Sequence, residues 1–404
     1  MQDVHIFDAV RTPRAKGKSD GSLAGVPPWE LVGQLTAALR ARTSGEALAA
    51  VERLALGCVT QAGPQGGHLA LLSRIHAGLP GTAVAVTLNN YCVSGMSAIA
   101  AAARAVASGE ERLALAGGVE CMSQSAFEAD GAPFFRDAAL AAHFQYLSPP
   151  LVADWLATRE GLTREDLDAV TVDSHQRAGR AWAEGRYAST VVPVTRADGT
   201  RVERDELVRP ALAAADLARF PAAFAPLGAL GALGGEAFVN DADRAPGGLK
   251  YLHAIPHCPP IADGAALALI GSRERGAGLG LTPRARIAAI AEVNTDPLEP
   301  FAAGFAALDR VLERAGLTLA DLGAIEFMEA FAAVAATFRK RHPAVAAQAN
   351  ESGGHLALGH PMGASGAILV ATLLAEMERK DAEWGVAVAH AVSGVGCALL
   401  LRRA

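Results

Sequence analysis

The chain has 404 residues, 51% of them hydrophobic, and a formal net charge of −6 that is not gathered into blocks of like sign. That length exceeds one ordinary core and suggests two or three domains, while the mild, scattered charge argues against nucleic acid or a membrane surface as a partner. The five cysteines, Cys58, Cys92, Cys121, Cys258 and Cys397, are odd in number, far apart and without paired metal-ligand spacing, which points to a reducing compartment and no metal site.

The opening Asp3-Val4-His5-Ile6-Phe7 carries an acid and goes straight into a strand, so it does not read as a signal peptide, and no apolar run approaches a membrane span. The cytoplasm is the expected location. Further on, the strand-like run Ala83–Leu88 gives way at Asn90-Tyr91-Cys92-Val93-Ser94-Gly95 to an alanine-rich helix from Met96 to Val106. The first N–H groups of a helix are unpaired and carry the positive end of its dipole, so the Cys92 thiol is expected to be pushed toward the thiolate. A strand, Leu113–Ala116, follows and ends in glycines.

From about Glu120 to Lys250 the composition shifts to charged helices and turns. Thr163-Arg164-Glu165-Asp166 reads as a helix start capped by Thr163, Gly185 and Asp198-Gly199 as turns, and Gly228–Gly235 with Asp241–Gly248 as a surface insertion. In the second half a loop, Gly359-His360-Pro361, leads into an apolar helix from Ala364 to Glu378 and then the strand Val386–Ala389. One supersecondary unit thus occurs twice, and both helices, apolar nearly all round, suit burial between sheets. A histidine in such a loop can act as base for a cysteine far away in sequence.

In this order and spacing, Asp8-Ala9-Val10-Arg11-Thr12-Pro13, the Cys92 loop, Gly117-Gly118-Val119-Glu120-Cys121-Met122-Ser123, Asp263-Gly264-Ala265-Ala266, Glu329-Ala330-Phe331-Ala332 and Gly359-His360-Pro361 resemble the thiolases over almost the whole chain. The resemblance implies an α/β fold of two related βαβαβαββ domains, with mixed sheets covered by helices, plus an inserted loop domain that holds coenzyme A. The N-terminal domain is then 1–118 with a return at 251–275, the loop domain 119–250 and the C-terminal domain 276–404. It also implies a homodimer or homotetramer paired across the N-terminal domains, with a hetero-complex left open.

The activity implied is acyl-CoA C-acyltransfer, with acyl-CoA and coenzyme A as substrates and no cofactor. Cys92 carries the acyl group, His360 activates it, and a third group moves the proton beside the thioester carbonyl. The backbone N–H groups of Cys92 and Val392 supply one oxyanion site. At three places the chain departs from the family. His390 stands where thiolases carry a second catalytic cysteine, and imidazole chemistry suits the same proton transfer. Met328 stands at the usual asparagine of the other oxyanion site, a loss that ordinarily costs about a hundredfold or more in rate. Arg209 and Phe224 keep the coenzyme A surface, but Pro256-His257-Cys258-Pro259-Pro260 replaces the loop that meets the pantetheine, and Ser148-Pro149-Pro150 replaces its approach. A ketosynthase-like condensing enzyme or acyltransferase with a dedicated substrate, and a thiolase-like subunit of a complex, remain alternatives.

Overall fold

The computed structural model describes residues 3–43, 45–226 and 248–404; the insertion expected at Gly228–Gly235 and nearly all of Asp241–Gly248 lies outside the described residues. Short apolar segments from both halves of the chain build one ten-stranded mixed sheet. In the first half, β1 (Val4–Arg11), β3 (Arg53–Gly57), β4 (Val84–Leu88), β5 (Leu113–Cys121) and β8 (Ala262–Ser272) lie in the order β4-β3-β5-β8-β1, with β2 (Ala15–Lys16) paired to β8, while β6 (Val194–Thr195) and β7 (Arg201–Val202) form a separate two-stranded ribbon. In the second, β9 (Ala285–Asn294), β10 (Ala324–Phe327), β11 (Trp384–Ala391) and β12 (Val395–Arg403) lie in the order β10-β11-β12-β9. An isolated bridge, Ile325 to Ala349, falls where the counterpart of β4 would pair.

Each half is parallel toward its outer edge and antiparallel toward the centre. The two meet where β1 pairs with β9 at His5–Arg286 and Ile6–Ala285. This is the duplication that the repeated strand–loop–helix pattern predicts.

The helices Ser94–Ser108 and Met362–Arg379 occupy equivalent places in the two halves and pack on each other. Most of the first and nearly all of the second is buried, as their apolar composition requires. Small residues allow the contact. A Cβ on Gly95 would lie 2.7 Å from the Gly363 carbonyl oxygen, and one on Gly366 would lie 2.7 Å from the Met96 backbone nitrogen. These are backbone obstacles that no rotamer change relieves. The close approach brings the N-terminal ends of the two helices, and so the Cys92 and His360 loops, to one place.

The segment between β5 and β8 packs against the second half. Its helix Arg164–Ala183 starts with the expected Thr163 cap, completed by Asp166 as a capping box. Pro149 and Pro150 fall in the first turn of the helix Pro149–Arg159, where a missing N–H costs nothing. They set a helix start here. No helix among the described residues is long and apolar enough to cross a membrane.

Candidate functional site

The Cys92 turn is built by its own short polar side chains. Tyr91 has a left-handed backbone, φ 48°; its N–H donates to Asn89 Oδ1 at 2.9 Å, and the Asn90 N–H donates to Ser94 Oγ at 2.8 Å. The chain thereby turns sharply from β4 into the Ser94–Ser108 helix with Cys92 at the bend. On the opposite loop Gly359 takes φ 92°, a conformation open to glycine. The His360 N–H donates to the Pro260 carbonyl at 2.8 Å, and Arg14 Nη1 donates to the Gly359 carbonyl at 3.2 Å.

Cys92 Sγ and His360 Nε2 lie 3.1 Å apart, and His360 Nδ1 lies 2.8 Å from Ser365 Oγ. If the Nδ1–H donates to Ser365, Nε2 is left with a lone pair facing the thiol. Once Nε2 has taken the thiol proton, the same Nδ1–H···Oγ bond supports the imidazolium. Ser365 is therefore the orienting group of the pair.

The electrostatics correct one expectation. Burial, followed by the nearby Glu120 carboxylate, pushes the Cys92 thiol up to about 12. The helix begins only at Ser94, and desolvation with a negative neighbour outweighs the dipole. Burial, followed by Arg14, lowers His360 to about 4. At rest the pair is thiol and neutral imidazole, so a thiolate at Cys92 requires proton transfer within the pair. Glu120 accepts from the N–H groups of Val59, Thr60 and Gly363 and from Gln65 Nε2. It ties the Cys92 half of the site to the first turn after His360.

The other sequence-derived residues fall less closely together. His390, near the end of β11, is fully buried, and neither ring nitrogen has a hydrogen-bond partner among the described residues. Its ring lies against Phe327 and Phe301, with centroids 5.2 and 5.6 Å away. Burial, followed by His360, lowers it to about 3. Val392 sits in the turn to β12, beside the left-handed Ser393 and Gly394. Met328 is sealed in the core, its N–H donating to the Val388 carbonyl.

Arg209 is exposed and Phe224 half-buried; the Arg209 N–H donates to His175 Nδ1. Pro259 is half-buried in the stretch that ends at Pro260, the acceptor for His360. His257 Nε2 donates to Asp168 at 2.7 Å while its Nδ1 accepts from the Ala254 N–H. Both of its nitrogens are thus engaged, one by the adjoining backbone and the other by the helix Arg164–Ala183.

Sequence reasoning missed His355. It is fully buried, its ring is 5.2 Å from that of His360 at 76°, and neither of its nitrogens has a partner among the described residues. Ser365 and Glu120 stood in motifs already singled out, but nothing local in the sequence ties either to Cys92 or His360.

The thiolase N-terminal domain family matches residues 4–243 and the thiolase C-terminal domain family residues 281–403. The chain is 35% identical to a beta-ketoadipyl-CoA thiolase of Pseudomonas putida over the whole of both chains. It is 36% identical to one of Pseudomonas aeruginosa, covering 100% of this chain and 99% of the relative. A 3-ketoacyl-CoA thiolase of Yersinia pestis is 34% identical, again over all of both chains. Matched in both halves and aligned end to end with these enzymes, the chain belongs to the thiolase family of acyltransferases.

Proposed function

We propose that this chain exchanges an acyl group between coenzyme A and carbon through a Cys92 acyl-enzyme, cleaving a 3-oxoacyl-CoA with coenzyme A or running the reverse Claisen condensation. The observation that carries this reading is the 3.1 Å approach of Cys92 Sγ and His360 Nε2 at the ends of two paired helices. In cleavage, Cys92 Sγ attacks the ketone carbon as its proton passes to His360. The carbon–carbon bond breaks, and the released carbon takes the proton that His360 accepted from the thiol. Coenzyme A then attacks the acyl-enzyme, its thiol proton passing to the neutral His390 imidazole, from which it returns to the departing Cys92 sulfur. The N–H groups of Cys92 and Val392 hold the developing oxyanion, which needs fixed donors and no particular side chain.

Arg209, Phe224 and Pro259 are assigned to coenzyme A, and Met328 to the back of the pocket. No metal or redox cofactor enters this scheme. The relatives divide between beta-ketoadipyl-CoA and 3-ketoacyl-CoA thiolases, and either acyl class is a candidate substrate. Assembly as a dimer is part of the proposal. It is supported by β4, which ends the sheet order and is exposed or half-buried along its length, the kind of open edge that another strand pairs with.

The test is thiolysis of 3-oxoadipyl-CoA and of its uncharged analogue 3-oxohexanoyl-CoA by wild type, Cys92→Ala and His390→Ala. Cleavage that vanishes in the first variant and falls steeply in the second supports the scheme. Cys92→Ala with unchanged turnover rejects it.

A further inference from the structure

Phe301 is the first residue before the helix Ala302–Ala315 and holds φ 53°, ψ 21°. That left-handed conformation is natural to glycine and an outlier for an aromatic residue. The strained residue is 2% exposed, and its ring lies 5.6 Å from the His390 ring and 5.8 Å from that of Phe331. One turn on, Gly304 leaves room for the same imidazole. A Cβ there would stand 2.4 Å from His390 Nδ1 and 2.9 Å from its Cγ. Phe327 closes another side, with ring centroids 5.2 Å apart.

The imidazole is thus held by two aromatic rings and an empty glycine position, with no hydrogen bond to orient it among the described residues. A side chain with two unbonded nitrogens in a dry pocket is costly as filler, and a backbone outlier beside it concentrates that cost at one place. Of the elements packed on it, the helix brings Gly304 and β10 brings Phe327, neither titratable. The titratable neighbours are His360, whose charge acts on His390, and His355, on which His390 acts.

We propose that Phe301 is a positioning residue for His390: its ring, with Phe327 and the space left by Gly304, fixes the imidazole in one orientation and keeps water from its nitrogens. This rests on the reading of His390 as the proton-transfer group. Burial holds His390 far below an ordinary imidazole, and opening the pocket to water returns it toward the ordinary range.

The experiment compares wild type with Phe301→Gly, Gly304→Ala, His390→Ala and the Phe301→Gly/His390→Ala double variant, in thiolysis rate, pH profile and thermal stability. Phe301→Gly suits the backbone and removes the ring. It is expected to lower kcat about tenfold or more, since small misplacements of catalytic groups cost up to about a hundredfold, with KM little changed. Its acid limb moves up toward an ordinary imidazole. Gly304→Ala, which displaces the ring from the other side, gives the same loss in kcat. In the double variant Phe301→Gly adds nothing to His390→Ala.

Unchanged kcat and pH profile in Phe301→Gly, with His390→Ala impaired, overturn the positioning role and leave Phe301 as packing alone. Wild-type turnover in His390→Ala overturns the assignment of His390 itself, and the proposal with it.

Discussion

Cys92 Sγ and His360 Nε2 stand 3.1 Å apart across 268 residues of sequence. The thiol is raised to about 12 and the imidazole lowered to about 4, so neither is charged near neutral pH. Replacing His360 with alanine removes the acceptor. It should slow acylation of Cys92 by acyl-CoA by about a hundredfold to ten-thousandfold, the usual range for a lost general base. Mass-spectrometric detection of acyl-Cys92 at wild-type rates in His360→Ala would show that the thiol is activated by something else.

The same shift sets the acid side of the pH profile. A base with its pKa lowered in the folded state stays neutral, and competent, as pH falls below the ordinary imidazole value near 6.5. Loss of acylation should therefore begin only as pH approaches about 4, where His360 takes up a proton. Single-turnover acylation between pH 8 and 5 should be nearly flat, and an acid limb centred near 6.5 would contradict the buried, Arg14-flanked setting of His360.

Glu120→Gln separates two roles of one carboxylate. Its charge raises Cys92, so the amide should lower the thiol pKa and speed iodoacetamide labelling of Cys92 at a fixed pH near 8. Its oxygens accept from four N–H donors, and turning an NH₂ toward some of them should cost about 1–3 kcal/mol, seen as a lower Tm. Slower labelling at unchanged Tm would disprove both.

Gly95→Ala places a methyl 2.7 Å from the Gly363 carbonyl oxygen. It should destabilise by about 1–3 kcal/mol as the helices move apart, with a loss of acylation rate from the disturbed Cys92–His360 contact. Gly81→Ala, where an added Cβ meets nothing within 4 Å, is the control and should leave both properties unchanged. Equal behaviour of the two in thermal melts and acylation would discount the close helix contact.

Asp154 Oδ1 accepts from the Leu252 and His253 N–H groups at 2.9 Å and from His253 Nδ1 at 2.7 Å, with both side chains fully buried. His253 Nε2 in turn accepts from the Ala333 N–H at the start of the helix after Phe331. Asp154→Ala orphans these buried donors and should cost about 1–3 kcal/mol or more, measurable by urea unfolding. A cost under about 1 kcal/mol would mean that water replaces the carboxylate.

Much of the fold was legible because its signals are local. Apolar runs, glycine-bearing loops and all-round apolar helices mark β4, β11 and the two central helices within the windows that form them, and the Thr163 cap needs only four residues. Cys92 and His360 could be named for the same reason, each being the reactive residue of its own loop at a helix start. His355, Ser365 and the Phe301–Gly304 pocket carry no such mark, since a buried histidine and a phenylalanine at φ 53° look ordinary in a string of letters. The repeated units, the family resemblance and the candidates for nucleophile and base, Cys92 and His360, could all be read from the string of residues alone. The tertiary structure alone decided their ionisation and grouping. Desolvation and the placement of Glu120, Arg14 and Phe301 around the site depend on which distant segments the sheet and paired helices bring together, and through-space electrostatics follows distance in the fold, not separation along the chain.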